Sequence, residues 1–147
     1  MPKRSNLRII DRVIDANLNR TKEGLRACEE VTRFILNSRS LTLAFKKARH
    51  NIDAILKLFP DYLVLIQKRE SQKDVGKNLY VNELKREGYQ DIFFANIQRV
   101  KESLRVLEEF SKLKNTNIAI KFKKIRYGIY ELEKKVAKRI ASLRYRR

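Results

Sequence analysis

The chain repeats itself, and that repeat constrains its fold more than any other feature. Residues 16–30 read ANLNRTKEGLRACEE and residues 95–109 read ANIQRVKESLRVLEE, identical at nine of fifteen positions. A second block follows each copy. FKKARHNI at 45–52 matches FKKIRYGI at 122–129 at five of eight positions. The two matches are offset by 79 and 77 residues, so the duplicated unit is helix, turn, helix, with a small length change in the turn. Two such hairpins make four long helices.

Apolar spacing agrees with helices. Ile10, Ile14, Asn17, Thr21, Gly24, Cys28, Val31 and Ile35 step by four and three, and so do Leu41, Phe45, Ala48, Ile52, Ile55 and Phe59. Tyr89, Phe93, Asn96, Val100, Ser103, Leu107 and Phe110 form a third seam, and Phe122, Ile125, Ile129, Leu132 and Val136 a fourth. This is the period of a helix, not the alternation of a strand. Ser5 or Asn6 is the expected cap of the first helix, and Pro60 should end the second near Phe59. Turns are expected at Asn37–Ser40 and at Asn115–Asn117. The expectation is one all-α domain of 147 residues: a four-helix bundle of two αα-hairpins related by a pseudo-twofold. Repeat 1 covers about 6–59, a connector 60–88, repeat 2 about 89–143, and a basic tail 144–147. Within the connector, Asp61–Gln67 and Val81–Arg86 read as short helices and Arg69–Tyr80 as an ordered loop. A connection this long in a compact domain is often functional.

The formal net charge of +18 exceeds what solubility needs and favours anionic partners. One cysteine rules out an internal disulfide and fits a cytoplasmic protein. No apolar run approaches the ~18 residues of a membrane span. The stretch from Thr116 to Arg147 holds eleven Lys/Arg against two Glu and should attract polyanions nonspecifically.

The repeated helices carry an odd seam. Asn17, Thr21 and Gly24 on one, and Asn96, Val100 and Ser103 on the other, stand where a seam built for stability alone would carry Leu or Ile. Beside them run Arg20, Glu23 and Glu30, and Arg99, Glu102 and Glu109, each set on one side of its helix. Two readings stay open. In one, Asn17 and Asn96 pair across the pseudo-twofold and fix register, with the charges in intrahelical pairs. In the other, the seam holds a ligand pocket lined by duplicated Asn, Arg and Glu. Arg26, Glu29 and Arg33, with counterparts Arg105, Glu108 and Lys112, read as a solvated ion-pair ladder. His50 reads as a packing or surface residue, Cys28 as a small core residue, and Gly76 in DVGK as a turn, since the remainder of a phosphate-binding Gly-rich loop is missing.

Five ordered blocks carry a resemblance: IDANLNRTKEGLRACEEVTRFIL, FKKARHNI, Arg69 with Asp74-Val75-Gly76, ANIQRVKESLRVLEEFSKL, and IRYGIYELEKK. Together they resemble a small helical family that occurs alone or fused ahead of thiamine phosphate synthase. The departures are Cys28, where an aliphatic residue is expected, and Lys77, where Thr is more usual. The resemblance implies a hydroxymethylpyrimidine monophosphate kinase of thiamine biosynthesis, using ATP and Mg²⁺, with thiamine phosphate synthase as a candidate partner. Residue roles follow from side-chain chemistry. Arginine forks suit phosphate oxygens, and carboxylates suit Mg²⁺. Arg20, Glu23, Arg99 and Glu102 are the catalytic candidates. Asn17, Asn96, Arg49, Arg69, Lys77 and Arg126 are the candidates for substrate and phosphate. Glu30, Glu109 and Asp74, with Glu23 or Glu102, are the candidates for Mg²⁺. The competing functions are a basic helical RNA- or DNA-binding protein and a non-catalytic module docking onto the synthase.

Overall fold

Five α-helices account for the described architecture, and no strand occurs among the described residues. The structure, a computed structural model, describes residues 4–59, 62–78 and 85–144. The helices are α1 (Arg4–Glu30), α2 (Arg39–Leu56), α3 (Tyr62–Gln67), α4 (Tyr89–Ser111) and α5 (Thr116–Arg144). The four long ones carry the four seams; α3 packs on α1. The expected all-α class is therefore what the chain adopts.

Helices α1 and α4 form the most extensive contact of the bundle. Thr21 and Ser103 share a hydroxyl–hydroxyl hydrogen bond of 2.7 Å, and Cys28 Sγ lies 3.8 Å from the Phe93 carbonyl oxygen. Numbers rise along one helix as they fall along the other, so the pair is antiparallel. Gly24 allows the approach. A Cβ there would come within 2.7 Å of Val100 Cγ2 and 3.1 Å of the Asn96 carbonyl oxygen. Positions 79 apart exchange these contacts. Thr21 corresponds to Val100 and Gly24 to Ser103, so the pair Thr21–Ser103 maps onto the pair Gly24–Val100.

The core is apolar and aromatic around this axis. Phe45, Phe93 and Phe122 are fully buried, and Phe45 and Phe93 meet edge to face with centroids 6.1 Å apart. The buried stripes are wider than the seams read from sequence, because Leu18, Leu25, Ile97 and Leu104 are buried beside them. This is the broad apolar face of a globular helix rather than a narrow coiled-coil line.

One seam residue departs. Ile35 is exposed, and Leu36 is buried in its place. The cause is a π-helical turn at Val31–Ile35, closed by a bond from Leu36 N–H to the Val31 carbonyl at 3.0 Å. Bonding over five residues winds in one extra residue and advances the phase of the buried face. Thus part of the extra length of repeat 1 sits in the end of the helix, not only in the turn. Asn37 then takes φ 49°, and Ser38 N–H bonds the Thr32 carbonyl, which closes the helix end.

The remaining boundaries differ modestly from expectation. Helix α1 is already helical at Arg4, so neither Ser5 nor Asn6 caps it. Ser38 caps α2 by accepting from Leu41 N–H, and the Asn115 carboxamide oxygen accepts from Asn117 N–H at the start of α5. Helix α2 ends at Leu56, with turn residues reaching Phe59. In the connector, 69–78 is a loop with one 3₁₀ turn at Ser71–Lys73. The proposed helix Val81–Arg86 falls mainly on 81–84, outside the described residues; Lys85 and Arg86 are not helical.

Candidate functional site

The close approach of α1 and α4 is polar on one side and leaves a cavity of about 470 Å³. Its walls are the duplicated residues: Asn17, Arg20 and Glu23 from α1, and Asn96, Arg99 and Glu102 from α4. Gly24 and Ser103 contribute to the floor. All six arise from spacings of three on two helices, which put them on one side of each.

The two asparagines do not pair with one another. Each amide donates to the carbonyl four residues back, Asn17 to Val13 and Asn96 to Ile92, both at 2.8 Å. Asn17 Oδ1 accepts from Arg20 at 3.3 Å. Glu102 accepts from Gln98 at 3.0 Å. Arg99 and Glu23 have no side-chain partner among the described residues. The register-pairing reading of Asn17 and Asn96 is therefore replaced by back-bonded amides beside a cavity.

A second cavity of about 480 Å³ adjoins the first through Asn17 and Arg20, which line both. Connector residues Arg69, Glu70, Ser71 and Asp74 wall it against α1. What places them there is a pair of clasps one helical turn apart. Arg69 donates two hydrogen bonds to the buried Asp15 carboxylate, at 2.7 and 2.8 Å. Lys68 and Lys114 both pair with buried Asp11. Burial alone would raise the Asp11 carboxyl, but the two ammonium groups hold it below its ordinary range. Asp74 Oδ1 accepts from Gly76 N–H at 2.9 Å, which fixes the DVGK turn.

Other candidates lie elsewhere. Arg49 forks onto Glu29, with bonds of 3.0–3.1 Å, and Arg126 donates to Glu108 at 2.9 Å. The Glu29, Glu108 and Arg126 side chains are buried, and neither arginine lines the polar cavities. The Glu108 hydrogen bond, against the opposing effect of burial, raises the Arg126 pKa above the ordinary guanidinium value. The solvated ladder is therefore corrected. Glu29 and Glu108 point inward and tie each long helix to its hairpin partner, while Arg26 and Lys112 stay outside. Glu30 pairs with Arg26 and Glu109 with Lys112 and Arg105 on exposed faces. The Lys112 hydrogen bond pulls the Glu109 pKa down. Lys77 Nζ donates to Gln72 on the exposed loop. Among the described residues no group of three or more His, Cys, Asp or Glu side chains is gathered to hold a metal ion. His50 is exposed, and Cys28 is buried with its thiol pushed up to about 12 by desolvation and by Glu133.

Sequence reasoning missed the buried roles of Asp11, Asp15, Glu29 and Glu108. A signal existed for two of them. Glu29 with Arg49 and Glu108 with Arg126 occupy equivalent positions in the two copies.

Comparison with known proteins places these features in a family. The model of the ThiD2 family matches residues 12–135. A thiamine-phosphate synthase of Nostoc punctiforme is 40% identical over 126 residues, covering 85% of this chain and 34% of the relative. One from Synechocystis sp. is 40% identical over 125 residues, covering 84% and 35%. One from Rhodopirellula baltica is 37% identical over 135 residues, covering 88% and 36%. The chain thus spans about a third of the length of the curated relatives it matches. No solved structure matches it.

Proposed function

The chain belongs to the ThiD2 family, and from that premise we propose that it is a kinase of thiamine biosynthesis, converting hydroxymethylpyrimidine monophosphate and ATP to the diphosphate and ADP. The observation that carries this reading is the cavity between α1 and α4. It presents two arginines and two glutamates, and Arg99 and Glu23 have no partner among the described residues.

The chemistry asks little of a protein base. An oxygen of the substrate phosphate attacks the γ-phosphorus of ATP. The new P–O bond forms as the bond from the γ-phosphorus to the β–γ bridging oxygen breaks, and ADP leaves with that electron pair. The attacking phosphate is largely ionised at neutral pH, so the task is alignment and charge neutralisation. Arg20 lines both cavities and so stands between two anionic ends, one in each. Arg99 reaches only the first. Asn17 and Asn96 line the cavity with their amide nitrogens already engaged, which leaves side-chain carbonyl oxygens suited to an aminopyrimidine amine. For Mg²⁺ the donor set fits Glu23 and Glu102, since that ion takes one or two carboxylates plus phosphate oxygens and keeps several waters. Bound there, it would neutralise phosphate charge. Glu30 and Glu109, engaged in outer ion pairs, are not retained for this role. Thiamine-phosphate synthase, the name of the longer relatives, is the proposed partner, and the cytoplasm the proposed compartment.

Incubating the purified protein with ATP, Mg²⁺ and the pyrimidine monophosphate, and following products by ³¹P NMR, tests the reading. ADP and the diphosphate are expected. Arg99→Ala should lower kcat/KM by about 10²–10³, as loss of a positioned donor does. The free hydroxymethylpyrimidine, lacking the phosphate that an arginine holds, should turn over poorly. A folded protein with no turnover overturns the kinase and leaves the docking module.

A further inference from the structure

Among the described residues, a cavity larger than the polar one lies elsewhere in the bundle. It is an open trough of about 620 Å³ between α2 and α5, on a face that the proposed kinase site does not use. Its floor comes from Ala48, Ile55, Ile125 and Ile129, and its depth from small residues. Gly128 is one of these. A Cβ there would meet nothing within 4 Å, so open space lies above it. Leu58 at one end is half exposed. Three cations, Lys47, Lys121 and Lys124, border the apolar floor. None of the three has an ion pair or hydrogen bond among the described residues, and no acidic residue lines the trough there.

We propose that this trough docks an acidic amphipathic helix of a partner protein. Length argues for a helix. The lining runs from Ala44 to Ile55 on α2 and from Lys121 to Leu132 on α5, about 16 Å on each at 1.5 Å per residue, or three turns. An apolar stripe spaced i, i+3, i+4, i+7 fills such a groove between two helices. A small molecule is a poorer fit, because an open trough with its charges at the rim lacks the convergent polar groups that orient one. Charge selects the partner. Acidic flanks on the incoming helix would meet the three lysines, whereas a second copy of this chain brings a further +18. The longer relatives join a unit of this kind to about twice its length of further chain, so a protein neighbour beside it is the ordinary situation there.

The probe is a synthetic 18-residue peptide with a Leu/Ala stripe flanked by glutamates, beside a scramble of equal composition and phosphatidylglycerol vesicles. Binding to the full chain is read by fluorescence anisotropy at 0.15 M salt, and its location by backbone NMR shifts. The helical peptide should bind at least tenfold tighter than the scramble and shift residues of α2 and α5. Leu58→Glu, and Lys121→Glu with Lys124→Glu, should each weaken it at least tenfold. Lys123→Glu with Lys135→Glu removes the same charge from exposed positions of α5 that do not line the trough, and should change affinity less than twofold. Because all these positions are exposed, unchanged melting temperatures are expected. Absence of binding, equal binding of the scramble, or equal loss in the control pair overturns the proposal. Vesicle binding that depends on the trough lysines while the peptide does not bind assigns the face to a lipid surface instead. Kinase turnover is measured separately on each variant and should not move, so failure here is distinct from failure of the kinase.

Discussion

The protein holds duplicated arginine–glutamate sets in two settings. In one, Glu29 meets Arg49 and Glu108 meets Arg126 inside the hairpins, with the carboxylates buried and bonded. In the other, Arg20, Glu23, Arg99 and Glu102 are exposed around a cavity, and two of the four have no partner among the described residues. Duplication copied both sets, so repetition does not say which is structural. Burial and pairing do. A closed pair can hold helices together but offers nothing to a ligand; an open set can bind and adds little to the fold.

The sharpest way to break this contrast is to truncate the buried set. Glu108→Ala leaves Arg126 charged and unpaired in the interior. Removing one partner of a buried pair costs about 3–5 kcal/mol, which at roughly 3 °C per kcal/mol lowers Tm by about 10 °C or more. Glu29→Ala should fall at the lower end, because Arg49 can turn toward water. Arg20→Ala and Arg99→Ala, tested alongside, should shift stability by less than about 1 kcal/mol. Thermal melts on the four variants check the order. A fall for Arg99→Ala as large as for Glu108→Ala would erase the distinction.

The next test asks whether the open set acts on the reaction. Glu23→Gln and Glu102→Gln preserve size and remove one charge each. Both should lower turnover by tenfold or more while Tm stays within a few degrees, and they should differ. Glu102 already accepts from Gln98, whereas Glu23 has no such neighbour, and the second cavity lies only on the Arg20 side. Glu23→Gln should therefore alter the Mg²⁺ dependence more. Turnover against Mg²⁺ concentration, with Tm as control, decides it. Unchanged rates in both return the stripe to surface ion pairing.

Much of this was legible because helices write their faces into sequence. The buried positions of Phe45, Ile52, Phe93, Leu107 and Phe122 follow from a 3.6-residue period, and the cavity residues follow from polar side chains at seam positions of two helices. What was not legible depended on tertiary context. Spacing alone puts Glu29 on an ion-pair face with Arg26 and Arg33. Only the crossing of α2 decides that this face is covered and that Arg49 meets it. Ile35 and Leu36 exchange places through a π-helical turn, whose single extra residue leaves no compositional trace. The second cavity depends on where the connector returns, and a loop without periodicity does not announce that.

The smallest expected effect concerns that return. Lys68 and Arg69 are adjacent, and they clasp Asp11 and Asp15 one turn apart on α1. Asp11 also meets Lys114, so one carboxylate joins the connector to the α4–α5 turn. Its pKa is held below the ordinary carboxyl value, so the folded state keeps it ionised to lower pH than the unfolded chain does. A depressed carboxyl contributes stability that is fully present above the unfolded pKa, near 4, and is lost as pH falls through the folded value. Asp11→Asn removes that contribution. The urea midpoint of the native protein should therefore exceed that of the variant by a constant amount from pH 7 to about pH 5. The gap should narrow below pH 4, and the two curves should converge at lower pH. Carboxylates that do not touch Asp11 contribute alike in both proteins and cancel in the difference. A gap that stays constant down to pH 2.5 would mean that Asp11 acts through shape rather than charge. The connector would then be held by Arg69 and Asp15 alone, and the wall of the second cavity would rest on one clasp instead of two.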